Sequence, residues 1–378
     1  MGRQRGAGLP RGEDDLSGVT ASPTGSGRQP SPGRSILVTG GAGFFGDLLT
    51  RRLLADGHRV VSVDLERDES THPALTTVRG DITDAGLLHR LAEQHSFDAV
   101  MHVAAMLAHD IKDQRLLWRS NVDGTRTVAE VARTHGIGKV VFTSSNCLWG
   151  HTFRRPVTED DVPAPVELYG RSKLAGERIL LEEYAGAFDT VVFRCPTIVE
   201  AGRLGLLAIL FEFIEENRKV WVVGGGRNRY QFIAAPDLAD ACVLALDHVG
   251  SRVFNVGSDD VPTFREAYES VIGETGSTSR VATLPRSLAL PAMRLAHALR
   301  LSPLGPYQYK MIAEDFVFDT SRIKHELGWK PTLTNAEMLL RAYRYYADHA
   351  AEIRARTDGS AHHRAADMGV IRVLKWLS

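Results

Sequence analysis

Tyr169 and Lys173 lie four residues apart in the segment YGRSK, and a Ser-Ser-Asn triplet, Ser144 to Asn146, precedes them. Four residues is about one helical turn, so the phenol and the ammonium share a face. A hydride leaving a carbinol carbon requires loss of the hydroxyl proton, and therefore a base whose conjugate acid can return that proton. A tyrosine at its ordinary pKa near ~10 is a poor base at neutral pH. A lysine on the same face favours the phenolate by Coulombic attraction. Ser145 follows the apolar run from Val140 to Thr143, where the carboxyl end of a parallel strand places a hydroxyl at a cleft to hold the substrate oxygen. Each element alone has a plainer reading: this spacing occurs in many helices, and paired serines also cap loops.

Such chemistry needs a hydride acceptor, and the chain carries a segment suited to bind one. Residues 36–46 read ILVTGGAGFFG, an apolar strand entering a glycine-rich turn with Gly40, Gly43 and Gly46 in a GxxGxxG frame. Helical apolar spacing follows from Asp47 to Leu54. Glycines permit close approach of backbone to a pyrophosphate, and the helix N-terminus adds N–H groups and partial positive charge. A second strand, Arg59 to Val63, ends at Asp64, where a carboxylate fits the ribose hydroxyls and repels a ribose phosphate. That favours NAD over NADP, although Arg67 lies close enough to blunt the preference.

Stepping outward, strands are expected at 36–39, 59–63, 75–78, 98–104, 138–144 and 190–195, with amphipathic helices at 46–56, 84–95, 114–135 and 168–185. This alternation predicts an α/β fold, a Rossmann-type doubly wound parallel sheet over 35–196. After residue 196 the rhythm changes to a helix around 203–217, a strand at 219–223, a GGGRNR turn and a strand near 229–234. These predict a smaller α/β substrate-binding lobe over 197–350, with segments that return to the first domain. The opening residues 1–34, rich in Gly, Pro, Ser and Arg, read as a disordered tail or an over-called start, and 351–378 as a C-terminal tail.

The 378 residues suffice for one large or two modest domains, and a formal net charge of −1 leaves no electrostatic footprint for nucleic acid. Three scattered cysteines, Cys147, Cys195 and Cys242, fit a reducing cytoplasm. No apolar run reaches the roughly 18 residues of a membrane span. His102, His109, His151 and the His362-His363 pair show no metal-ligand spacing, so no metal is expected. The C-terminal MGVIRVLKWLS is amphipathic and suits docking on the domain or on a partner.

Taken together, TGGAGFFG at 39–46, Asp64, RGDITD at 79–84, HVAA at 102–105, SNVDGT at 120–125, SSNCLWG at 144–150, YGRSK at 169–173 and FDTSRIKHELGWKP at 318–331 resemble the extended short-chain dehydrogenase/reductase family. Within it, the chain is similar to the NAD-dependent sugar-nucleotide epimerases and dehydratases, of the UDP-glucose 4-epimerase type. The resemblance implies that Phe44 and Phe45 join the glycines at the dinucleotide. By the same analogy Asp81 and Ile82 flank the adenine, Val103, Ala104 and Ala105 line the cofactor channel, and Asn121 supports the central helix. Backbone from Pro196 to Ile198 would meet the nicotinamide amide. It points to Ser145 over Ser144 as the catalytic hydroxyl, and to a homodimer paired through the helices at 114–135 and 168–185.

Departures from the family pattern carry as much information. Relatives that eliminate water resemble one another in a Thr-Asp-Glu triplet; this chain has Ser145-Asn146-Cys147, which argues against a 4,6-dehydratase. Relatives that bind a nucleotide-sugar pyrophosphate carry an Asn after the sixth strand and an Arg-Asp pair in the small lobe, where this chain has Thr197 and Tyr230-Gln231. Arg227 and Arg229 either reach phosphate from the GGGRNR turn or sit in a solvated turn. The segment LGLLAILFEFI from Leu204 to Ile214 is either a packed helix or an apolar substrate pocket, and Trp149 either packing or a wall for a ring-shaped substrate. Asn146, Cys147, Thr197, Arg229 and Tyr230 are thus the candidate substrate residues.

Two readings remain. One is an NAD-dependent epimerase of a sugar nucleotide or related activated sugar. The other is a dehydrogenase or ketoreductase on a non-nucleotide alcohol, sterol-like or from secondary metabolism. Either depends on Asp64 for the ribose. Asp64→Ala is expected to weaken NAD, measured by fluorescence titration, much more than NADP; equal losses would remove the ribose argument.

Overall fold

The computed structural model describes residues 33–107, 113–202, 207–299 and 311–355. Residues 1–32 of the expected tail, His109, the His362-His363 pair and the C-terminal amphipathic segment lie outside them.

Short runs of β-branched residues build the centre. Ser35–Thr39 (β1), Arg59–Asp64 (β2), Leu75–Arg79 (β3), Ala99–His102 (β4), Lys139–Ser145 (β5), Asp189–Cys195 (β6) and Arg252–Asn255 (β10) pair in parallel, in the order β10-β6-β5-β4-β1-β2-β3. Because successive side chains point to opposite faces, each strand feeds two cores. Ile36, Val38, Val141 and Val191 face one side, with Leu49 and Leu53 of helix α1 (Phe44–Ala55) and Ala239 and Cys242 of α7 (Ala235–Ala245). Leu37, Val140 and Val192 face the other, with Leu88 of α2 (Ala85–His95) and Val128 and Ala132 of α4 (Gly124–Thr134).

The sequence predicts six strands before residue 196 and no seventh. The seventh, β10, comes from beyond it, and α7, also from beyond it, packs against α1. At four residues, RVFN is too short to announce itself by alternation. The helix expected over 114–135 is also divided: α3 (Gln114–Trp118) and α4 flank a wider i→i+5 turn, Arg119–Asp123. The one expected over 168–185 is α5 (Leu168–Arg178) followed by a similar turn, Ile179–Glu183. Such turns insert a residue into a helix and re-aim the side chains around it.

The smaller lobe has its own core. Thr197–Val199 (β7) pairs in parallel with Phe232–Ala234 (β9), and Val220–Val223 (β8) with Val281–Leu284 (β11). Phe211 and Ile214 of α6 (Leu207–Glu215) pack with Phe232, Phe264, Leu339 and Tyr346. Over its described part, the LGLLAILFEFI segment is therefore a packed helix. The strand expected near 229–234 begins only at Phe232; Arg229 and Tyr230 make single bridges to Thr263 and Phe316. No helix among the described residues is long and apolar enough to cross a membrane.

The HELGWKP segment ties late chain to early sheet. The helix Ser321–Leu327 stops at Gly328 in a left-handed conformation, φ 66°, which turns Trp329 into the core beside α7. There its indole donates to the Asp237 carbonyl at 2.8 Å, while the amide and hydroxyl of Thr332 donate to the Asp237 carboxylate at 2.9 and 2.6 Å. Trp329→Ala is expected to cost about 3–5 kcal/mol of stability, read as a lower denaturant midpoint at unchanged slope.

Candidate active site

The parallel strands end together on one side of the sheet, and the order reverses between β1 and β4, where a crevice opens in sheets of this kind. The glycine turn leaves β1 at that point. Gly40 has φ 77°, a conformation that L side chains rarely adopt, and a Cβ there would lie 2.7 Å from the Ala104 Cα. A Cβ on Gly46 would collide with the Gly40 carbonyl oxygen. The turn thus closes against the start of α1 and against the strand extension carrying Val103, Ala104 and Ala105; the Ala104 amide donates to Thr39 Oγ1 at 3.4 Å. Asp64, at the tip of β2, accepts from the Ala42 amide at 3.1 Å and the Glu66 amide at 3.0 Å. Its burial raises the carboxyl above its ordinary pKa against those hydrogen bonds. Asp64 therefore braces the glycine turn. The Phe45 side chain belongs to the core, which leaves its backbone amide for any phosphate. Asp81 accepts from the Thr83 amide at 2.9 Å, and Ile82 is buried against Gly124.

Asn121 sits inside the wide turn of the divided helix. Its carboxamide oxygen accepts from the Met106 amide at 2.7 Å, and its nitrogen donates to the Met106 carbonyl and the Ser172 hydroxyl, both at 3.0 Å. Ser172 in turn donates to the Tyr169 carbonyl at 2.8 Å. One buried amide thereby fixes the channel strand and the helix carrying Tyr169 and Lys173.

That helix, α5, reaches the end of β5 because small residues let it. A Cβ on Gly170 would strike the Cys147 carbonyl oxygen, and one on Gly176 would lie 2.8 Å from the Phe142 ring. Ser145 ends β5, its hydroxyl accepting from the Cys147 amide at 3.1 Å as the cap of the short turn Asn146–Leu148. Lys173 is 3% exposed, with its ammonium 4.6 Å from the centre of the Phe142 ring. Burial pulls its pKa down to about 8, against the attraction of Cys195, Glu177 and Cys147. His102, bridging Thr39 and Thr125 at 2.7 and 2.8 Å, is held neutral by the same burial, its pKa near 3.

Ser144 and Ser145 have different partners. The Ser144 hydroxyl donates to Glu177 at 2.6 Å, and the Arg194 guanidinium grips the same carboxylate at 2.7 and 3.0 Å. Both members of the ion pair are buried; Arg194 also donates to the Glu159 carbonyl at 2.9 Å and lies over the Trp149 ring at 5.2 Å. Sequence reasoning passed over Glu177 and Arg194. The available signal was spacing, since Glu177 follows Lys173 by one further turn on the same face of α5.

Of the candidate substrate residues, three come together. Asn146 Nδ2 donates to the Tyr230 hydroxyl at 2.7 Å, and Thr197 Oγ1 is 3.4 Å from the same oxygen. Cys147 follows Asn146 in the chain, half-buried and free of disulfide. Arg229 points elsewhere: Nη1 donates to the Val261 carbonyl at 3.1 Å. One residue along an extended segment reverses the facing direction, so with Tyr230 turned inward Arg229 is turned outward. Arg227 is exposed. Next to Asn146 a small cleft of about 20 Å³ opens, walled by Trp149, Tyr230, Met311 and Phe316. Trp149 thus packs against Phe316 and Phe318 and also edges the cleft. Pro196 is buried, and Ile198 pairs with Ile233 in the small sheet. No group of three or more metal-ligating side chains occurs among the described residues.

Residues 36–257 match the model of the NAD dependent epimerase/dehydratase family. The chain is 35% identical over 344 residues to the uncharacterized protein y4nG of Sinorhizobium fredii, covering 91% of this chain and 86% of that protein. It is 31% identical to the UDP-glucose 4-epimerase of Mycolicibacterium smegmatis, covering 82% and 97%. Among solved structures it superposes on the Bordetella bronchiseptica enzyme WbmH in complex with NAD+, with a TM-score of 0.68, 27% identity and coverage of 84% and 99%.

Two outcomes follow from this geometry. Gly170→Ala must push α5 from the Ser145 turn, at an expected cost of about 1–3 kcal/mol and with a loss of kcat larger than any change in NAD affinity. Lys173 has a lowered pKa, so between about pH 8 and its ordinary 10.5 the unfolded chain holds a proton that the folded chain has released. Stability therefore gains with rising pH across that window, a gain that Lys173→Met removes in pH-dependent denaturation. Turnover is expected to fall above about pH 8, where the Lys173 ammonium is lost.

Proposed function

The chain belongs to the NAD-dependent epimerase/dehydratase family, and on that premise we propose that it is an epimerase: it oxidises one carbinol carbon of a sugar to a ketone and reduces that ketone from the opposite face. The observation that carries this reading is the packing of α5 on the β5 end through Gly170, which sets Tyr169 and buried Lys173 against the turn of Ser145. The residues of the crevice suit NAD. Gly40 and Gly46 keep open a cradle that a Cβ would fill, beside the first turn of α1, and the Asp64 carboxylate at the tip of β2 suits ribose hydroxyls and would repel a ribose phosphate. Bound there, NAD supplies the hydride acceptor for oxidation and the donor for return.

The protein's part is proton handling and position. Tyr169 takes the hydroxyl proton as the carbon is oxidised and gives it back as the ketone is reduced. The Lys173 ammonium stabilises the phenolate; with little water to screen it, that attraction is stronger than at a surface. Ser145 donates to the substrate oxygen and holds it on Tyr169. Cys147 stands where an acid would be needed to eliminate water, so the keto sugar is returned intact. Similarity to a UDP-glucose 4-epimerase supports a sugar ring as the substrate type. A homodimer belongs to the same proposal, supported by the partly exposed Leu116 and Trp118 on α3.

A second reading, net dehydrogenation, is favoured by one contact. The Asn146–Tyr230 hydrogen bond fills the position where a tether for the far end of the substrate is wanted, and a ketone that turns over between two hydride transfers needs such a tether. The two readings differ in stoichiometry. For an epimerase, NAD is released from the denatured pure protein and no NADH absorbance accumulates during conversion. A dehydrogenase yields one NADH per substrate oxidised. In either case Tyr169→Phe is expected to keep NAD binding and to lose turnover by about 10²-fold or more; retention of a tenth of wild-type activity would remove Tyr169 as the base.

A further inference from the structure

Tyr169, Lys173 and Glu177 follow one another at single-turn spacing along α5, so the three share one face of that helix. Proton handling accounts for the first two and leaves Glu177 unexplained. Glu177 is 3% exposed, and its carboxylate accepts from partners on two strands: the Ser144 hydroxyl of β5 at 2.6 Å, and the Arg194 guanidinium of β6 at 2.7 and 3.0 Å. Arg194 is fixed in turn by the Glu159 carbonyl at 2.9 Å and the Trp149 ring at 5.2 Å. A carboxylate held by two strands in this way keeps its place on the face it shares with Lys173.

Packing alone does not call for a charge here, because an apolar pair of similar volume commonly stabilises a core as well as a buried ion pair does. Lys173 supplies the reason. Its ammonium is almost sealed from water, and the groups that face it from other elements carry little charge. His102 of β4 is held neutral by burial. The Phe142 ring of β5 offers only its face, 4.6 Å away. Cys195 of β6 is a protonated thiol, since it donates to the Ser144 carbonyl at 3.1 Å, and Cys147 carries charge only as a thiolate. Of the groups that attract the ammonium, Cys195, Glu177 and Cys147, the carboxylate alone brings a full negative charge at neutral pH. Arginine does not give up its proton in proteins. Glu177 therefore has a permanent counter-ion in Arg194, and its charge does not depend on Lys173.

We infer that Glu177 is a positioning residue for the hydride-transfer site: anchored by Ser144 and Arg194, it faces the Lys173 ammonium with a fixed carboxylate and keeps that ammonium charged for Tyr169. The inference deepens the proposed function and rests on Lys173 serving Tyr169.

Carbon NMR of the full-length protein, saturated with NAD and labelled at lysine Cε, tests it. The chain has eight lysines, few enough for the signal lost in Lys173→Met to be identified. That signal is expected to titrate at about pH 8 in the wild type. Glu177→Gln with Arg194→Gln removes both buried charges and leaves an amide pair, and is expected to lower the midpoint by about one unit. Glu177→Gln alone, which keeps the side chain's shape, is expected to move it in the same direction. Glu177→Asp, which keeps the charge, should titrate close to wild type. An unchanged midpoint in either glutamine variant, or a midpoint in Glu177→Asp as low as theirs, overturns the inference. A second readout separates it from the reading beneath it. Lys173→Met is expected to raise the pH at which Tyr169 ionises, followed as the tyrosinate absorbance that Tyr169→Phe removes. No change there overturns the service of Lys173 to Tyr169 and leaves the Glu177 result standing.

Discussion

An ammonium group with almost no water around it is the constraint from which much of this molecule follows. Lys173 is 97% buried on a helix that crosses the end of the sheet, and burial works against its charge. What keeps the charge useful is a succession of compensations. The Phe142 ring lies beneath it and the Glu177 carboxylate one turn along. Glu177, itself sealed from water, needs Arg194; Arg194 gives a further donor to the Glu159 carbonyl and its face to Trp149. Removing one member of such a pair strands the other, so these residues stand or fall together. The series ends at Trp149, on the wall of the cleft, so the cleft and the lysine share one line of buried groups.

The fold was legible wherever burial on two faces forced a pattern. Continuous apolar runs such as Ile36 to Val38 and Val140 to Phe142 marked parallel strands, because both of their faces are covered. The glycine turn was legible because close backbone approach leaves few other residue types. Legibility failed where the deciding partner is remote. β10 is a strand only because β6 offers it an edge, and nothing in Arg252 to Asn255 says so locally. Arg229 looked like a phosphate ligand by residue type, but the direction it takes is set by Tyr230 packing inward among Phe232, Phe264 and Phe316. Glu177 and Arg194 were visible letters whose meaning came from being 17 residues apart in sequence and 2.7 Å apart in space.

Within the small lobe, hydrogen bonds fix the segment that carries Tyr230, which the Asn146 turn meets. Asn335 holds the lobe side of that meeting: its amide nitrogen donates to the Tyr230 carbonyl at 2.8 Å, and its oxygen accepts from the Phe232 amide at 3.1 Å and the Ser258 hydroxyl at 2.7 Å. Gln231, facing the other way, ties Ser258 to Phe318 at 2.7 and 2.8 Å. The polar groups of Tyr230 and Gln231 are thus spent within the protein.

The late arrival of β10 also governs how the chain can be made. A ribosome that has released the first six strands has produced a sheet whose β6 edge is bare and whose α1 face lacks α7, a row of unpaired N–H and C=O groups beside uncovered leucines. More than fifty further residues must emerge before Arg252 to Asn255 can close that edge. Nascent chains therefore pass through an interval in which the open edge is available to other chains. The same topology forbids treating the nucleotide-binding part as a separable cassette: a fragment cut after β6 keeps the glycine turn and the Tyr169 helix but surrenders the strand and helix that seal its core.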